Sequence, residues 1–442
     1  MAYWEYDVNY QMRCEPNKPG GVAKNCNMNC IYNWTYSNTT WNPSGLEKLG
    51  KDIGANWMFY LHMYCADSPM WSQFPVVKNT KPMNFWGHSG VTYAQPKPSA
   101  SFDFYDYLLT WGASVGERYV FSDFMGDQTS IQQMNMGLET DEVREWLLGF
   151  DKATLKHDMT MQMCMQLPSN LLQSLEMDSV TNARSSGDGG RTLSQSMGVA
   201  FMYQSALGLG PSKDNVCTAT TPLSQAIVAC LSKGPFGLGD ELNKTNATIV
   251  MAASRGDGWI LQPTRTITPI DRTYTSPKEL GAGQVWVADT HLAGFTRPWF
   301  NVLGWGMAEE FKLLPGDFYT QALYSNETAS KWDGALGYHY IYNWHDPCIR
   351  DLTTTSCPGA FLAADGGAVS IPAHQKEESF FQVAPLLGET DTILLGEVEK
   401  FVPFSPVRFK TLVADAAGGY TLGFAGKAGE AVTVVCAQVR VL

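Results

Sequence analysis

The chain has 442 residues, which is more than one ordinary domain of ~100–200 residues and enough to build a large core. Its 31 Lys and Arg residues against 43 Asp and Glu residues give a net charge of −12, which argues against nucleic acid or an anionic membrane surface as a partner. Charged residues make up 17% and aromatic residues 12%, including 14 Trp, a composition that suits stacking on flat, neutral ligands such as sugars. No run of ~18 uninterrupted apolar residues occurs, so no membrane span is predicted.

Strand and helix patterns alternate over residues 1–270. The run 57–63 is almost continuously apolar, as expected of a strand buried on both faces. Further strands are predicted at 3–7, 119–121, 159–165 and 179–184, and helices around 104–111, 143–150 and 193–207. Alternation of this kind predicts an α/β fold with a parallel sheet, and ~250 residues is the usual size of a (β/α)₈ TIM barrel.

The pattern changes after residue 270. Short alternating stretches at 408–413, 420–424 and 431–439 predict antiparallel strands. We therefore expect a catalytic barrel over 1–270 followed by an all-β C-terminal sandwich domain over 271–442.

Ten cysteines are too few for a disulfide scaffold but include candidates for individual bridges. The candidates lie in polar, turn-rich segments, and the sequence leaves their connectivity open: Cys14, Cys26, Cys30, Cys348 and Cys357. Three others lie in apolar stretches and are predicted to be buried thiols: Cys164, Cys230 and Cys436.

Asn-x-Ser/Thr sequences mark five possible glycosylation sites, at Asn33, Asn38, Asn243, Asn246 and Asn326. Together with the disulfide candidates they predict a secreted or lumenal (extracellular) glycoprotein. The first residues do not have the pattern of a signal peptide.

Carboxylates at predicted strand ends are the candidate chemistry, because barrel enzymes carry their working residues at the carboxyl ends of the strands. Asp123 directly follows an apolar strand, and Asp188 follows a polar strand in a Gly-containing loop. Two carboxylates that face each other can cleave a glycosidic bond, with retention at ~5–5.5 Å and inversion at ~6.5–9.5 Å. The alternative is that these residues cap helices or pair with Arg184 and Arg191.

Several segments resemble the retaining α-galactosidase clan of glycoside hydrolases, in particular its alkaline α-galactosidase and raffinose synthase family. MQMCMQLPSNLLQSLEMDSVTNARSSGD, at 161–188, resembles the clan's fifth and sixth strands, and LGLGPSKDN, at 207–215, resembles the seventh. GPFGLGDELNKTNATIVMAASRGDGWILQPTR, at 234–265, resembles the eighth strand and final helix. YVFSDF, at 119–124, and YWEYD, at 3–7, resemble the ends of the fourth and first strands.

The resemblance implies a retaining hydrolase of α-linked galactosides or related sugars. Asp123 would be the nucleophile and Asp188 the general acid/base, with no cofactor or metal. Residues that would contact or orient the sugar are Asp7, Arg184, Asp214 and Asp240. Trp4, Trp57 and Trp86 are candidates for stacking on a sugar, with core packing as the alternative for each, and His62 is either a hydrogen-bonding or a structural residue.

The chain departs from the clan pattern at two positions. Tyr6 precedes a single Asp7 where an Asp pair is common, and Ser122 stands where Lys is common. These departures motivate the alternative, a catalytically inactive carbohydrate-binding or structural glycoprotein on the same fold.

Two rival signals are weaker. The G-x-S-x-G sequence at 112–116 trails a helix and leads into a strand, the reverse of the order that a serine-hydrolase elbow requires. His339, His345 and Asp346 lack the spacing of a metal site and are interpreted as structural or surface residues. The oligomeric state is not predicted.

Overall fold

A computed structural model describes most of the chain, in two compact units, 1–184 and 185–442. The described residues are 11–12, 31–33, 48, 51–52, 54, 56–78, 83–85, 88–129, 141–187, 193–275, 283–293, 295–318, 339–351, 357, 360–362, 369–387, 392–415 and 419–438.

A parallel sheet forms the centre of the first unit. Its strands are β1 (Trp57–Leu61), β2 (Glu117–Ser122), β3 (Thr160–Met163) and β4 (Val180–Arg184). They lie side by side in chain order, each parallel to the next. Every residue of β1 is buried, which confirms the prediction of a strand covered on both faces. The predicted α/β class with a parallel sheet is therefore confirmed, whereas closure into a barrel stays a prediction.

Helices connect these strands. They are α1 (Ser101–Ser114), α2 (Met125–Gln128), α3 (Glu142–Lys156) and α4 (Pro168–Gln173). In α1 the buried side chains include Phe104 and Leu108, one turn apart, as the apolar spacing predicts. Tyr105 of α1 stacks on Phe150 of α3 with ring centroids 3.7 Å apart, so the two helices pack through aromatic side chains.

Short elements complete the described part of this unit. The strands are Gln11–Met12, Ile31–Asn33, Tyr64–Cys65, Val76–Lys78, Met83–Phe85, His88–Val91 and Tyr93–Pro96. Single turns of 3₁₀ helix lie at Pro69–Ser72, Pro98–Ala100 and Ser174–Glu176.

The second unit begins with helices and one short strand. These are α5 (Gln195–Ala206), β5 (Gly210–Ser212), α6 (Leu223–Leu231) and α7 (Ala247–Ala253). All nine residues of α6 except Leu223 are buried, so this helix lies in the interior of the unit.

A six-stranded antiparallel sheet follows. Its long strands are β6 (Gln284–Leu292), β7 (Phe295–Met307), β8 (His339–Asn343) and β9 (His374–Pro385), in the spatial order β6, β7, β9, β8. Thr268–Pro269 and Ala360–Leu362 form its edges. Alternate residues of β6 enter different cores. Trp286 packs with α5, α6 and α7 on one side, and Val285 packs with Phe311 and Ile371 on the other.

Smaller antiparallel pairs complete the second unit. β10 (Phe409–Ala414) pairs with β11 (Tyr420–Phe424), Phe311–Leu313 with Val369–Ile371, and Thr392–Gly396 with Val435–Gln438. The antiparallel strands predicted near 408, 420 and 431 are thus confirmed. A sandwich domain bounded at residue 270 stays a prediction, since one core joins helices before that position to strands after it. The remaining short helices are Arg272–Thr275, Pro315–Phe318 and Pro347–Arg350.

Two of the candidate cysteines, Cys348 and Cys357, form a disulfide. Cys65 is also disulfide-bonded, which the sequence analysis did not predict. Cys164 and Cys230 are buried free thiols as predicted, but Cys436 is exposed, because its short strand lies at the surface. The candidates Cys14, Cys26 and Cys30 lie outside the described residues.

The structure describes three of the predicted glycosylation positions. Asn243 and Asn246 are exposed, and the Asn246 side chain accepts a hydrogen bond from the Thr248 N–H at the start of α7. Asn33 ends a short strand, and Asn38 and Asn326 lie outside the described residues. Within the described ranges, none of the helices combines the length and apolar character that crossing a membrane requires.

Candidate functional site

Asp123 lies at the carboxyl end of β2, where the backbone turns sharply. Its N–H donates to the Leu61 carbonyl of β1 at 2.8 Å, and the Cys164 N–H after β3 donates to the Ser122 carbonyl at 2.8 Å. Phe124 then adopts a left-handed conformation with φ 54°, which is uncommon for a residue with a bulky side chain. The turn is therefore held by ladder bonds from the strands on both sides and leads directly into α2.

The Asp123 carboxylate accepts one hydrogen bond on each oxygen. The Tyr60 hydroxyl donates to Oδ2 at 2.7 Å, and the Phe124 N–H donates to Oδ1 at 2.8 Å. The residue is 6% exposed. Hydrogen bonds to an ionised group are each worth about 1.5–3 kcal/mol, so two of them orient the carboxylate strongly.

Buried amides support the same turn from behind. The Gln128 side-chain amide donates to the Asp123 carbonyl and accepts at Oε1 from Gln95 at 2.7 Å. The carbonyls of Cys164 and Met165 accept from the first N–H groups of α2 at 3.1 and 2.9 Å. Because the backbone on both sides of Asp123 is fixed, the position of the carboxylate is set by rigid elements rather than by a loop.

His62 directly follows β1 and is packed behind this carboxylate. It is 1% exposed and lies against the rings of Tyr60 and Phe124, at centroid distances of 5.5 and 6.0 Å. Burial lowers the pKa of His62 to about 3, so the imidazole is neutral at ordinary pH. Of the two roles left open for His62, the structure shows the structural one, because the ring packs against Tyr60 and Phe124.

Arg184 ends β4, at the same edge of the parallel sheet as Asp123 and two strands away. Its side chain is half-buried, and its carbonyl accepts from the Gln166 amide at 2.7 Å. Since parallel strands present their carboxyl ends at one edge, the sheet brings Asp123 and Arg184 to a common side. This juxtaposition was expected from the sequence.

Two predicted sugar-binding residues belong to the second unit. Asp214 is 8% exposed, and its N–H donates to the Ser186 hydroxyl at 2.8 Å. Asp240 accepts from the Thr218 hydroxyl at 2.7 Å and from the Ala219 N–H at 3.0 Å. Partial burial raises the pKa of Asp240, but these hydrogen bonds outweigh it and hold the pKa below its ordinary value. Asp240 therefore stabilises a turn in the structure.

Trp57 was a candidate for stacking on a sugar, with core packing as the alternative, and the structure shows core packing. The residue begins β1, so it lies at the amino edge of the parallel sheet, opposite the edge that carries Asp123. It is 3% exposed and packs against Trp111 and Val115. Its indole is part of the core.

The remaining predicted site residues are not described by the structure. Trp4, Asp7, Trp86 and the predicted acid/base Asp188 lie outside the described residues. Their roles stay predictions.

The residues of the two rival signals have structural positions. Ser114 ends α1 and donates to the Trp111 carbonyl at 2.6 Å, ahead of β2 rather than behind a strand. Asp346 caps a short helix through the Cys348 N–H, and His339 is buried within β8. Among the described residues, no three His, Cys, Asp or Glu side chains form a group that could hold a metal ion.

The residues that orient Asp123 were not predicted from the sequence. Tyr60 was considered only as part of an apolar run, although a hydroxyl near the end of a buried strand needs a partner and could have indicated one. Phe124 and Gln128 carry no comparable signal, because their contribution depends on the left-handed turn.

Comparisons with known proteins add similarities to glycoside hydrolases. No family model matches the chain, and no curated protein matches its sequence. Among solved structures, a β-L-arabinopyranosidase from Geobacillus stearothermophilus is similar at 10% identity and a TM-score of 0.48, covering 81% of this chain and 82% of that one. An α-galactosidase from Saccharomyces cerevisiae with raffinose is similar at 12% identity and a TM-score of 0.45, covering 80% and 85%.

A trehalose-6-phosphate hydrolase from Bacillus licheniformis is also similar, at 10% identity and a TM-score of 0.42, covering 85% of this chain and 91% of that one. Solved α-galactosidases are thus among the structures similar to this chain, as the sequence resemblance to their clan predicts. A closer relation to the raffinose synthase family stays a prediction.

Proposed function

We propose that the protein is a retaining glycoside hydrolase that acts on α-linked galactosides or related sugars. Asp123 attacks the anomeric carbon and forms a covalent glycosyl–enzyme as the leaving oxygen takes a proton from Asp188. Asp188 then removes a proton from water, and the water oxygen displaces Asp123 from the anomeric carbon. The two displacements require only these two carboxyl groups and one water molecule, and Asp188 ends with the proton that it began with.

The observation that carries the proposal is the Asp123 carboxylate, buried and oriented at the carboxyl edge of a parallel sheet. A nucleophile must be held in one direction to attack a single carbon, and the Tyr60 hydroxyl and Phe124 N–H do this. If a strand-end Asp only capped a helix, its carboxylate would accept hydrogen bonds from the first N–H groups of that helix. Here the backbone donor comes from Phe124, which precedes α2, and the other donor is a tyrosine on a neighbouring strand.

Replacing Asp123 with Ala or Asn tests the assignment. We expect turnover of aryl α-galactosides to fall by a factor on the order of 10³ or more, because the covalent step is lost. In the unchanged protein, a fluoro-sugar with a good leaving group should label Asp123, as mass spectrometry of the peptide would show.

Asp141→Asn is the matched control, since Asp141 is exposed at the start of α3 and should leave turnover unchanged. Full activity of the Asp123 variants would exclude the residue as nucleophile. A protein that binds the sugar but is never labelled and never turns over would instead be the inactive carbohydrate-binding glycoprotein.

We also propose that residues 1–270 complete a barrel, that 271–442 form a C-terminal sandwich, and that the protein is secreted or lumenal. The disulfide between Cys348 and Cys357 and the bonded Cys65 support an oxidising compartment. The exposed positions of Asn243 and Asn246 are compatible with glycans, which mass spectrometry of the natural protein would detect or exclude.

A further inference from the structure

A broad cleft of the second unit has no part in the proposed hydrolysis. Its volume is about 650 Å³, within the usual range for ligand sites. We call it the basic cleft, and the residues that line it include Lys233, Arg255, Trp259, Thr264, His291 and Lys410. Lys233 follows α6, Arg255 and Trp259 lie in the turn after α7, and Thr264 lies in the segment after that turn. His291 is near the end of β6, and Lys410 is in β10.

Trp259 presents its indole to solvent in this cleft. It is 65% exposed, and of the tryptophans in the described ranges it is the only exposed one. A tight turn fixes it: the Arg255 N–H donates to the Trp259 carbonyl at 2.9 Å, and Gly258 has φ 89°. An exposed indole on a fixed turn offers a flat apolar face to a ligand.

Three cationic side chains line the same cleft as this indole, and each one donates to a backbone carbonyl. Lys233 donates to the Thr264 carbonyl at 2.5 Å and Lys410 to the Pro406 carbonyl at 2.8 Å. Arg255 donates to the Val407 carbonyl at 2.9 Å. A backbone carbonyl carries no formal charge, so these hydrogen bonds orient the heads of Lys233 and Lys410 without neutralising them.

Carboxylates near the cleft neutralise only part of its charge. Asp257 pairs with Arg255, and the buried Asp289 pairs with His291 at 2.5 Å and Arg265 at 3.5 Å. No Asp or Glu is among the described residues that line the cleft. Lys233 and Lys410 lie at exposed positions of a chain with net charge −12, and with Arg255 they make the cleft a local basic patch.

We propose that the basic cleft binds acidic glycans. The apolar face of one sugar ring stacks on Trp259, and a carboxylate or sulfate of the glycan accepts charge-assisted hydrogen bonds from Lys233 and Lys410. The net charge of the whole chain disfavours a polynucleotide, whose many phosphates would meet the acidic remainder of the surface. This binding site is independent of the proposed hydrolysis.

Calorimetric titration of the full chain at low salt tests the proposal with four probes. They are a galacturonate trisaccharide, the same trisaccharide with its carboxyls reduced to neutral groups, a sulfated galactose disaccharide, and a thymidine oligonucleotide of equal charge. We expect the neutral trisaccharide to bind at least about 10-fold more weakly than the acidic one. Preference between the carboxylated and sulfated probes identifies the anion.

Trp259→Ala and the double change Lys233→Gln with Lys410→Gln should each weaken acidic-glycan binding by about 10-fold or more, and the second should also reduce its salt dependence. Lys244→Gln, at an exposed position outside the cleft, is the matched control and should bind normally. Equal binding of acidic and neutral trisaccharides, full binding by both variants, binding of the oligonucleotide alone, or no binding of either acidic glycan would each overturn the proposal.

Discussion

The two carboxylate oxygens of Asp123 accept hydrogen bonds from different kinds of donor. Oδ1 accepts from a backbone N–H, which cannot be removed by a side-chain change, whereas Oδ2 accepts from the Tyr60 hydroxyl. The neutral imidazole of His62 packs beside that phenol and supplies no competing positive charge. Tyr60 is thus a positioning residue that can be tested without altering the carboxylate itself.

Tyr60→Phe should slow turnover by about 10- to 100-fold, which corresponds to losing a hydrogen bond of about 1.5–3 kcal/mol to an ionised group. The effect is expected in kcat and in the rate of fluoro-sugar labelling rather than in KM, because the ring and the binding surface are kept. Tyr107→Phe, an exposed tyrosine of α1, is the control. Unchanged labelling in Tyr60→Phe would show that the Phe124 N–H alone is sufficient.

At the scale of elements, the sequence predicts the strands and helices of the parallel sheet better than it predicts which residues lie at each edge. The apolar run of β1 and the helical spacing of α1 were sufficient to place both elements. The strand pattern does not distinguish a residue at the amino edge of the sheet from one at the carboxyl edge. Trp57, which begins β1 at the amino edge, was therefore included among the stacking candidates. The turn after Asp123 was equally hidden, because a left-handed Phe124 follows from tertiary hydrogen bonds and not from local preference.

Glu117 marks the amino edge, where β2 meets α1. It is fully buried, and a Cβ added at Gly112 would lie 2.7 Å from its Oε2, so helix and strand approach closely here. Burial raises the pKa of Glu117 well above its ordinary value. The fold therefore favours the protonated acid, and the folded protein holds a proton that the unfolded chain has already released.

Stability should consequently fall as the pH rises through the ordinary pKa of Glu toward the raised one. Glu117→Gln, which keeps the shape and removes the charge, should give a higher Tm at pH 8 and a flatter dependence of Tm on pH. Each kcal/mol gained is worth about 2–4 °C for a unit of this size. Thermal unfolding between pH 5 and 9 measures this, with the exposed Glu145→Gln as control. A lower Tm for Glu117→Gln at pH 8 would contradict the argument.

At the scale of the whole molecule, the second unit joins two kinds of structure in one core. Trp286 of β6 is fully buried and contacts Phe201 of α5 edge-on, with ring centroids 6.0 Å apart. A Cβ at Gly198 of α5 would come within 3.1 Å of the same indole. Residues before and after position 270 thus pack against the same Trp286 side chain. The change in hydrophobic pattern near residue 270 gives no sign of this shared core.

Trp286→Ala should destabilise the second unit by about 3–5 kcal/mol, because it leaves a large cavity and removes the Nε1 hydrogen bond to the buried Gln284 amide. Hydrogen exchange should then show that amides of α6, before residue 270, and of β7, after it, lose protection together. Trp259→Ala removes an exposed indole from the same unit and should cost little. If only the strands after 270 lost protection in Trp286→Ala, the helices and the sheet would fold independently, and the boundary predicted at 270 would also separate two cooperative units.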